Sequence, residues 1–202
     1  MNPYEVVEAF EHRVAEYAGS IYGVAVNSCT NAILLALMLH EPLGEVTLPK
    51  RTYVGVAQSV INAGGVCRFV DNDWVGEYEL EPEGIIDSAR RFYRGMALND
   101  GSKIRCLSFH WYKHLPIGRG GVILTNSAHE YRLLKRMRYD GRRAGVAPVQ
   151  DDFDVRGYHC YMIPEDAARG LMLMNAVKDH YEDIPWDDYA DLSQFEMFTG
   201  GE

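Results

Sequence analysis

Lys113 stands in SFHWYKHLPIGRGG (108–121), an amine set between aromatic residues and a glycine-rich turn. Taken alone, a single lysine in such a loop reads as a solvated surface charge. Asp87 ends the apolar run of GIIDSA (84–89), as the cap of a following helix or as a deliberately placed carboxylate. Ser28, Cys29 and Thr30 fall between an apolar strand pattern and a helix start. Such a turn offers backbone N–H groups and a positive dipole end to a phosphate, and an ordinary cap by Ser28 or Thr30 gives the same pattern. Tyr53 follows a second strand pattern, as a core aromatic or a ligand platform. His110 and His114 flank Lys113 at a spacing that suits a metal only on a helix, and Pro116 with three glycines argues against a helix there. HExxH, GxxxxGK[ST] and GxGxxG are absent, so no zinc site or nucleotide loop is expected.

The elements that must position these residues alternate. Val6, Ala9, Phe10, Arg13, Val14 and Tyr17 mark a helical stripe closed by Gly19. YGVAV (22–26), EVTLP (45–49) and VCRFVD (66–71) read as strands, separated by helices over Asn31–His40 and Tyr53–Asn62. That βαβαβ order predicts a parallel sheet with helices on its faces. NDWVGEYELEPE (72–83) is acidic and reads as a loop or hairpin. GIIDSA, KIRCLSF (103–109) and GGVILTN (120–126) read as further strands, and Tyr131–Tyr139 and Pro164–Lys178 as helices. In an open parallel sheet, ligands bind beyond the carboxyl ends of the strands, where Ser28, Tyr53, Asp87 and Lys113 all fall.

The 202 residues, 47% hydrophobic and 24% charged, suit one globular domain with a single core. The longest apolar run, Ala32–Leu39, is far short of the roughly 20 residues of a membrane span. The acidic, amphipathic start lacks the pattern of a signal peptide, so membrane anchoring and export are not expected. A net charge of −9 disfavours a general nucleic-acid binder, although Arg132–Arg143 is locally basic. The four cysteines form no CxxC, and reduced thiols in a cytoplasmic chain are the simpler reading. From His180 the sequence is acidic and patternless, which divides it into a domain over 1–179 and a tail or arm over 180–202.

Taken in order, these segments resemble the DegT/DnrJ/EryC1/StrS sugar aminotransferases, pyridoxal-phosphate enzymes of fold type I. The likeness runs through FEHRVAEYAG (10–19), VAVNSCTNAILLAL (24–37) and EVTLPKRTYVGVAQSVINAGGVCRFVD (45–71). It continues in IIDSAR (85–90), SFHWYKHLPIGRGGVILTN (108–126) and GYHCYM with EDAARGL (157–171). The lysine segment is the most specific part. The resemblance implies pyridoxal 5'-phosphate as cofactor and Lys113 as the residue that forms the Schiff base and later shuttles the proton. It places Asp87 on the pyridine nitrogen, Tyr53 on the ring face, and Ser108, Thr30 and the Ser28–Cys29 turn on the phosphate. Arg90 falls near the ring hydroxyl, where the family has His or Gln. His159 falls where an asparagine normally reaches the partner subunit's phosphate.

The resemblance also implies an aminotransferase acting on an amino or keto sugar or related small molecule, as a homodimer with shared active sites. Decarboxylation, elimination or racemisation of amines uses the same cofactor, and a non-catalytic relative used for binding or assembly is a further alternative. Keeping both Lys113 and Asp87 favours catalysis. Family members are nearly twice this length. By the resemblance, the small C-terminal domain is expected to be missing here, with a dozen residues in place of a strand–helix pair after FVDND. About six strands are therefore expected, mostly parallel, with GVILTN antiparallel. Cys29, Arg119 and Tyr161 stand where glycine, glutamate and arginine are usual.

Overall fold

The computed structural model describes residues 4–185 and 189–199. It is an α/β domain in three layers, and its sheet is mixed. Helix α1 (Glu5–Ala18) buries Val7, Phe10, Val14 and Tyr17 and stops at Gly19, whose left-handed backbone (φ 81°) returns its N–H to Ala15 O. Strand β1 (Tyr22–Val26) leads into α2 (Cys29–Met38), where Ser28 caps the helix by accepting from the Asn31 amide. Then come β2 (Glu45–Pro49), α3 (Val54–Asn62), β3 (Val66–Val70), β4 (Tyr78–Leu80) and β5 (Ile85–Asp87). The series ends with β6 (Ile104–Ser108), β7 (Gly121–Thr125), α4 (Ala128–Met137), α5 (Pro164–Met174) and the short α6 (Glu196–Thr199).

Five strands run in the order β1-β7-β6-β5-β4, and β2 pairs with β3 in parallel. A single antiparallel bridge, Thr47 with Glu81, joins the two sets, with Thr47 N donating to Glu81 O at 2.8 Å. The result is a continuous run of seven strands in which only β4 and β7 point against the rest. This corrects the expected six strands. The acidic stretch after β3 folds back as a hairpin on β5, so Tyr78–Leu80 fills the place between β5 and β2. The antiparallel sense of GVILT is as expected, but most neighbouring strand pairs are antiparallel. A short hairpin arm can only return antiparallel, whereas a parallel strand needs a crossover of a dozen or more residues.

Period-two alternation divides the sheet between two cores. Val24, Val26, Ile104, Cys106 and Ile123 face α2 and α3, while Ala25, Leu107, Val122 and Leu124 face α1 and α5. The segment after His180 lies along the domain. Asp183 pairs with Arg91, Asp191 pairs with Lys50, and Leu192 and Phe198 enter the α2–α3 core. Residues 186–188 and 200–202 of the acidic arm lie outside the described residues. Among the described residues, no helix is long and apolar enough to cross a membrane.

Candidate active site

A cavity of about 230 Å³ opens beyond the carboxyl ends of β1, β2, β5 and β6. Its walls include Ser28, Cys29, Thr30, Tyr53, Asp87, Arg90, Ser108 and Lys113, eight of the nine residues singled out from sequence. At one end is the start of α2. Its first amides have no acceptor within the helix, and the hydroxyls of Thr30 and Ser108 stand at the same cavity. Two glycines let neighbouring segments pack closely against this end. A Cβ on Gly121 would lie 2.8 Å from Cys29 N, and one on Gly55 would lie 2.9 Å from Thr30 Oγ1 and 2.7 Å from the Tyr53 ring. Tyr53 precedes α3 and is exposed, so its ring is available at the mouth.

Asp87, the last residue of β5, is 5% exposed. One carboxylate oxygen accepts the Ala89 amide at 2.9 Å and the other accepts the Tyr78 hydroxyl at 2.8 Å. Burial pushes its carboxyl above the usual range, while those two donors and the charges of Lys113 and Arg90 pull it back. Among the described residues, no cation lies in ion-pair contact with Asp87. Lys113, 8% exposed, is held in the loop by its backbone N–H, which donates to His110 O at 2.9 Å, and its Nζ lies 4.3 Å from the centre of the Tyr112 ring. Burial also pushes the Cys29 thiol well up, so it stands in the phosphate-type turn as a neutral group.

Arg90 is engaged by the C-terminal arm. Its Nε and Nη2 donate to Tyr189 Oη at 3.1 and 2.8 Å, and Nη1 donates to Pro185 O. His159 is not among the cavity residues. Its side chain is 67% exposed, with Nδ1 on Asp140 at 2.7 Å. The strip that carries it lies against β1, with Asn27 N donating to Cys160 O at 2.8 Å.

The cavity also holds Arg119, noted above for standing where glutamate is usual, and residues that the sequence did not announce: Thr52, Trp74 and Tyr189, with Tyr78 directly behind Asp87. Tyr78 reaches Asp87 because the two are cross-strand partners in the β4–β5 hairpin. The alternation in EYEL was the available signal for that strand, but nothing local gives its register.

The model of the DegT/DnrJ/EryC1/StrS aminotransferase family matches residues 1–88 and 87–183. The chain belongs to this family. Among curated relatives, GDP-perosamine synthase of Caulobacter vibrioides is 28% identical over 85% of the chain and 57% of its own length. The spore coat polysaccharide biosynthesis protein SpsC of Bacillus subtilis is 38% identical over 33% of the chain. Of the solved structures, the sugar aminotransferase CalS13 of Micromonospora echinospora superposes with a TM-score of 0.70 at 18% identity, over 85% of this chain and 60% of its own. 3-Amino-5-hydroxybenzoic acid synthase gives 0.72 at 17%, over 86% and 56%. These likenesses show the fold. The chain thus spans little more than half the length of the GDP-perosamine synthase it matches.

The residues present fit pyridoxal phosphate, the family's cofactor. A buried carboxylate without a contacting cation suits a protonated pyridine nitrogen, a buried amine suits the aldehyde, and a helix start with two hydroxyls suits the phosphate.

Proposed function

We propose that this chain binds pyridoxal phosphate and acts as an aminotransferase on an amino or keto sugar or a related small molecule. The observation that carries the reading is the meeting of Lys113 and Asp87, from different segments, at one cavity with the start of α2. When bound, the cofactor supplies an electron sink for bond breaking beside an amine. Asp87 holds a proton on the ring nitrogen, and Lys113 binds the aldehyde carbon and carries protons to and from the reacting carbon. The amides and hydroxyls of the Ser28–Thr30 turn and Ser108 orient the phosphate, and Tyr53 covers the ring at the mouth. The names of the relatives, a GDP-perosamine synthase and a polysaccharide biosynthesis protein, support a sugar as substrate.

The reading includes a homodimer with shared sites, in the cytoplasm. Exposed Trp111, Tyr112 and Tyr53 near the cavity, and the outward-facing His159, support a partner surface. Free thiols at all four cysteines support a reducing compartment. Residues 1–179 would then form the cofactor-binding domain, and the segment from His180 an arm laid over it, with Tyr189 at the cavity.

The test is direct. Pyridoxal phosphate should turn the protein yellow, and borohydride should fix the adduct to the Lys113 peptide, as read by mass spectrometry. Lys113→Ala should abolish the adduct and lower amination of a nucleotide-linked keto sugar by an amino-acid donor by about 10⁴-fold. The same adduct trapped on another lysine would overturn the assignment, and a monomer in sedimentation that holds cofactor fully would overturn the shared site.

A further inference from the structure

Behind Asp87 lies a chain of hydroxyls. Tyr78 Oη is 2.8 Å from Asp87 Oδ2 and 2.6 Å from Thr52 Oγ1, and all three residues are buried. An ionised carboxylate can only accept, so Tyr78 donates to Asp87 and its oxygen accepts the Thr52 proton. Burial and the nearby charge of Asp87 raise the Tyr78 pKa well above its ordinary value, which keeps the phenol in the protonated form that donates. Its ring is fixed as well, with the Trp74 ring 4.8 Å away edge-on and Trp74 Nε1 donating to Arg51 O at 3.0 Å.

We infer that Tyr78 is a positioning residue, whose hydroxyl, oriented by Thr52, holds Asp87 ionised and aimed into the cavity. The inference rests on the proposed binding of pyridoxal phosphate. Both residues behind Asp87 have identifiable sources. Thr52 follows β2, and Tyr78 lies on the short strand that fills the gap between β2 and β5. The hairpin thus supplies a part of the site as well as completing the sheet. Other groups also face Asp87: Cys29 from α2, Cys106 from β6, Arg90 and Lys113 from the loops after β5 and β6, and Tyr189 from the arm. None of them donates to Oδ2 among the described contacts, so the hydroxyl of Tyr78 can be removed alone.

The test uses Tyr78→Phe, which keeps the ring, and Thr52→Val, which keeps the shape of its partner. Two quantities are measured against pH. One is the chemical shift of the Asp87 carboxyl carbon in cofactor-free protein, and the other is the affinity for pyridoxal phosphate by equilibrium dialysis. In Tyr78→Phe the carboxyl titration and the acid limb of binding should both move up by about one pH unit, the worth of a hydrogen bond to a charged group. Thr52→Val should move both the same way by less. An unchanged carboxyl titration in folded Tyr78→Phe would overturn the inference, and if that variant does not fold, an unchanged titration in Thr52→Val does so. Failure of the wild-type protein to bind the cofactor at any pH would overturn the proposed function instead, and the carboxyl titration would still decide the hold of Tyr78 on Asp87.

Discussion

Two buried carboxylates of this domain, Glu11 and Asp87, are treated in opposite ways. Glu11, on α1, is 3% exposed and fully matched. It accepts from Ala25 N at 2.8 Å, Lys135 Nζ at 2.9 Å and Arg138 Nη1, so one side chain ties α1, β1 and α4 together. Asp87 is almost as deeply buried, but among the described residues its hydrogen bonds come from an amide and a phenol, the Lys113 and Arg90 charges act on it without ion-pair contact, and its carboxyl is held above the usual range. A buried charge with its counter-ions in place serves the fold. A buried charge left without one is a cost that a cationic ligand can relieve, and the protonated ring nitrogen of the proposed cofactor is such a cation.

The largest expected effect tests the first half of this contrast. Glu11→Gln leaves the Arg138 guanidinium buried without its anion, so denaturant unfolding should show a loss of about 3 kcal/mol. Cofactor affinity should stay as it was. A stable Glu11→Gln variant would mean that water reaches this cluster and that burial does not separate the two carboxylates.

Asp87→Asn should do the reverse. Turnover should fall by about 10²–10³-fold, the usual cost of removing one aligned electrostatic partner in a closed site. The cofactor-free protein should be as stable as the wild type or slightly more so, because an amide carries no desolvation penalty for charge. Were Asp87 merely the cap of the turn at Ala89, Asn would serve equally well and turnover would not change. Loss of stability with turnover retained would refute the functional assignment.

How far these two residues were legible in sequence differs for a physical reason. Asp87 could be picked out because a charge ending an apolar run is a local pattern. The anion-type turn at Ser28–Thr30 and the lysine loop are likewise contiguous, and the cavity brings them together. The helices α1 and α5 follow from periodicity, within a few residues at their ends. Glu11 gave no signal, since its charged partners, Lys135 on α4 and Arg138 at its end, lie more than a hundred residues away. Tyr78 was hidden for a related reason. Its role depends on the register of a three-residue strand, and one step of slip would turn its ring to the other face. The segment from His180 read as an acidic, patternless tail or arm, yet Asp183 and Asp191 find Arg91 and Lys50 on the domain and Leu192 and Phe198 find the core.

A smaller effect is expected from pH. The folded state raises the Asp87 pKa, so between its unfolded value, about 3.9, and its higher folded value the native protein binds more protons than the unfolded chain. Stability from this group is therefore full at low pH and is lost as pH rises through the folded value. Asp183, held down by Arg91, works the other way, with stability present above the unfolded value and lost as pH falls. The two are separated by subtraction. The stability of the cofactor-free wild type minus that of Asp87→Asn should decline as pH rises above about 4 and then level off. A rising difference would show that Asp87 already has a cation in contact.

The smallest effect concerns a residue at the edge of this comparison, His159, whose carboxylate partner is at the surface. Asp140 accepts from Nδ1, which fixes that nitrogen as the protonated one in neutral imidazole and leaves Nε2 as an acceptor. An acceptor cannot hold a phosphate oxygen. If His159 reaches the phosphate site of a partner subunit, as proposed, it does so only as imidazolium, with Nε2 donating. Besides Asp140, the rings of Tyr139 and Tyr161 border this position, the latter 4.8 Å from the imidazole. Dialysis should therefore show His159→Ala weaker by about threefold, in keeping with the modest worth of an exposed charged contact. His159→Asn, whose amide also donates, should bind as wild type does, and sedimentation should give the same dimer for all three proteins. Equal affinities for wild type and His159→Ala would leave His159 outside the site and remove the partner's imidazole from the proposal.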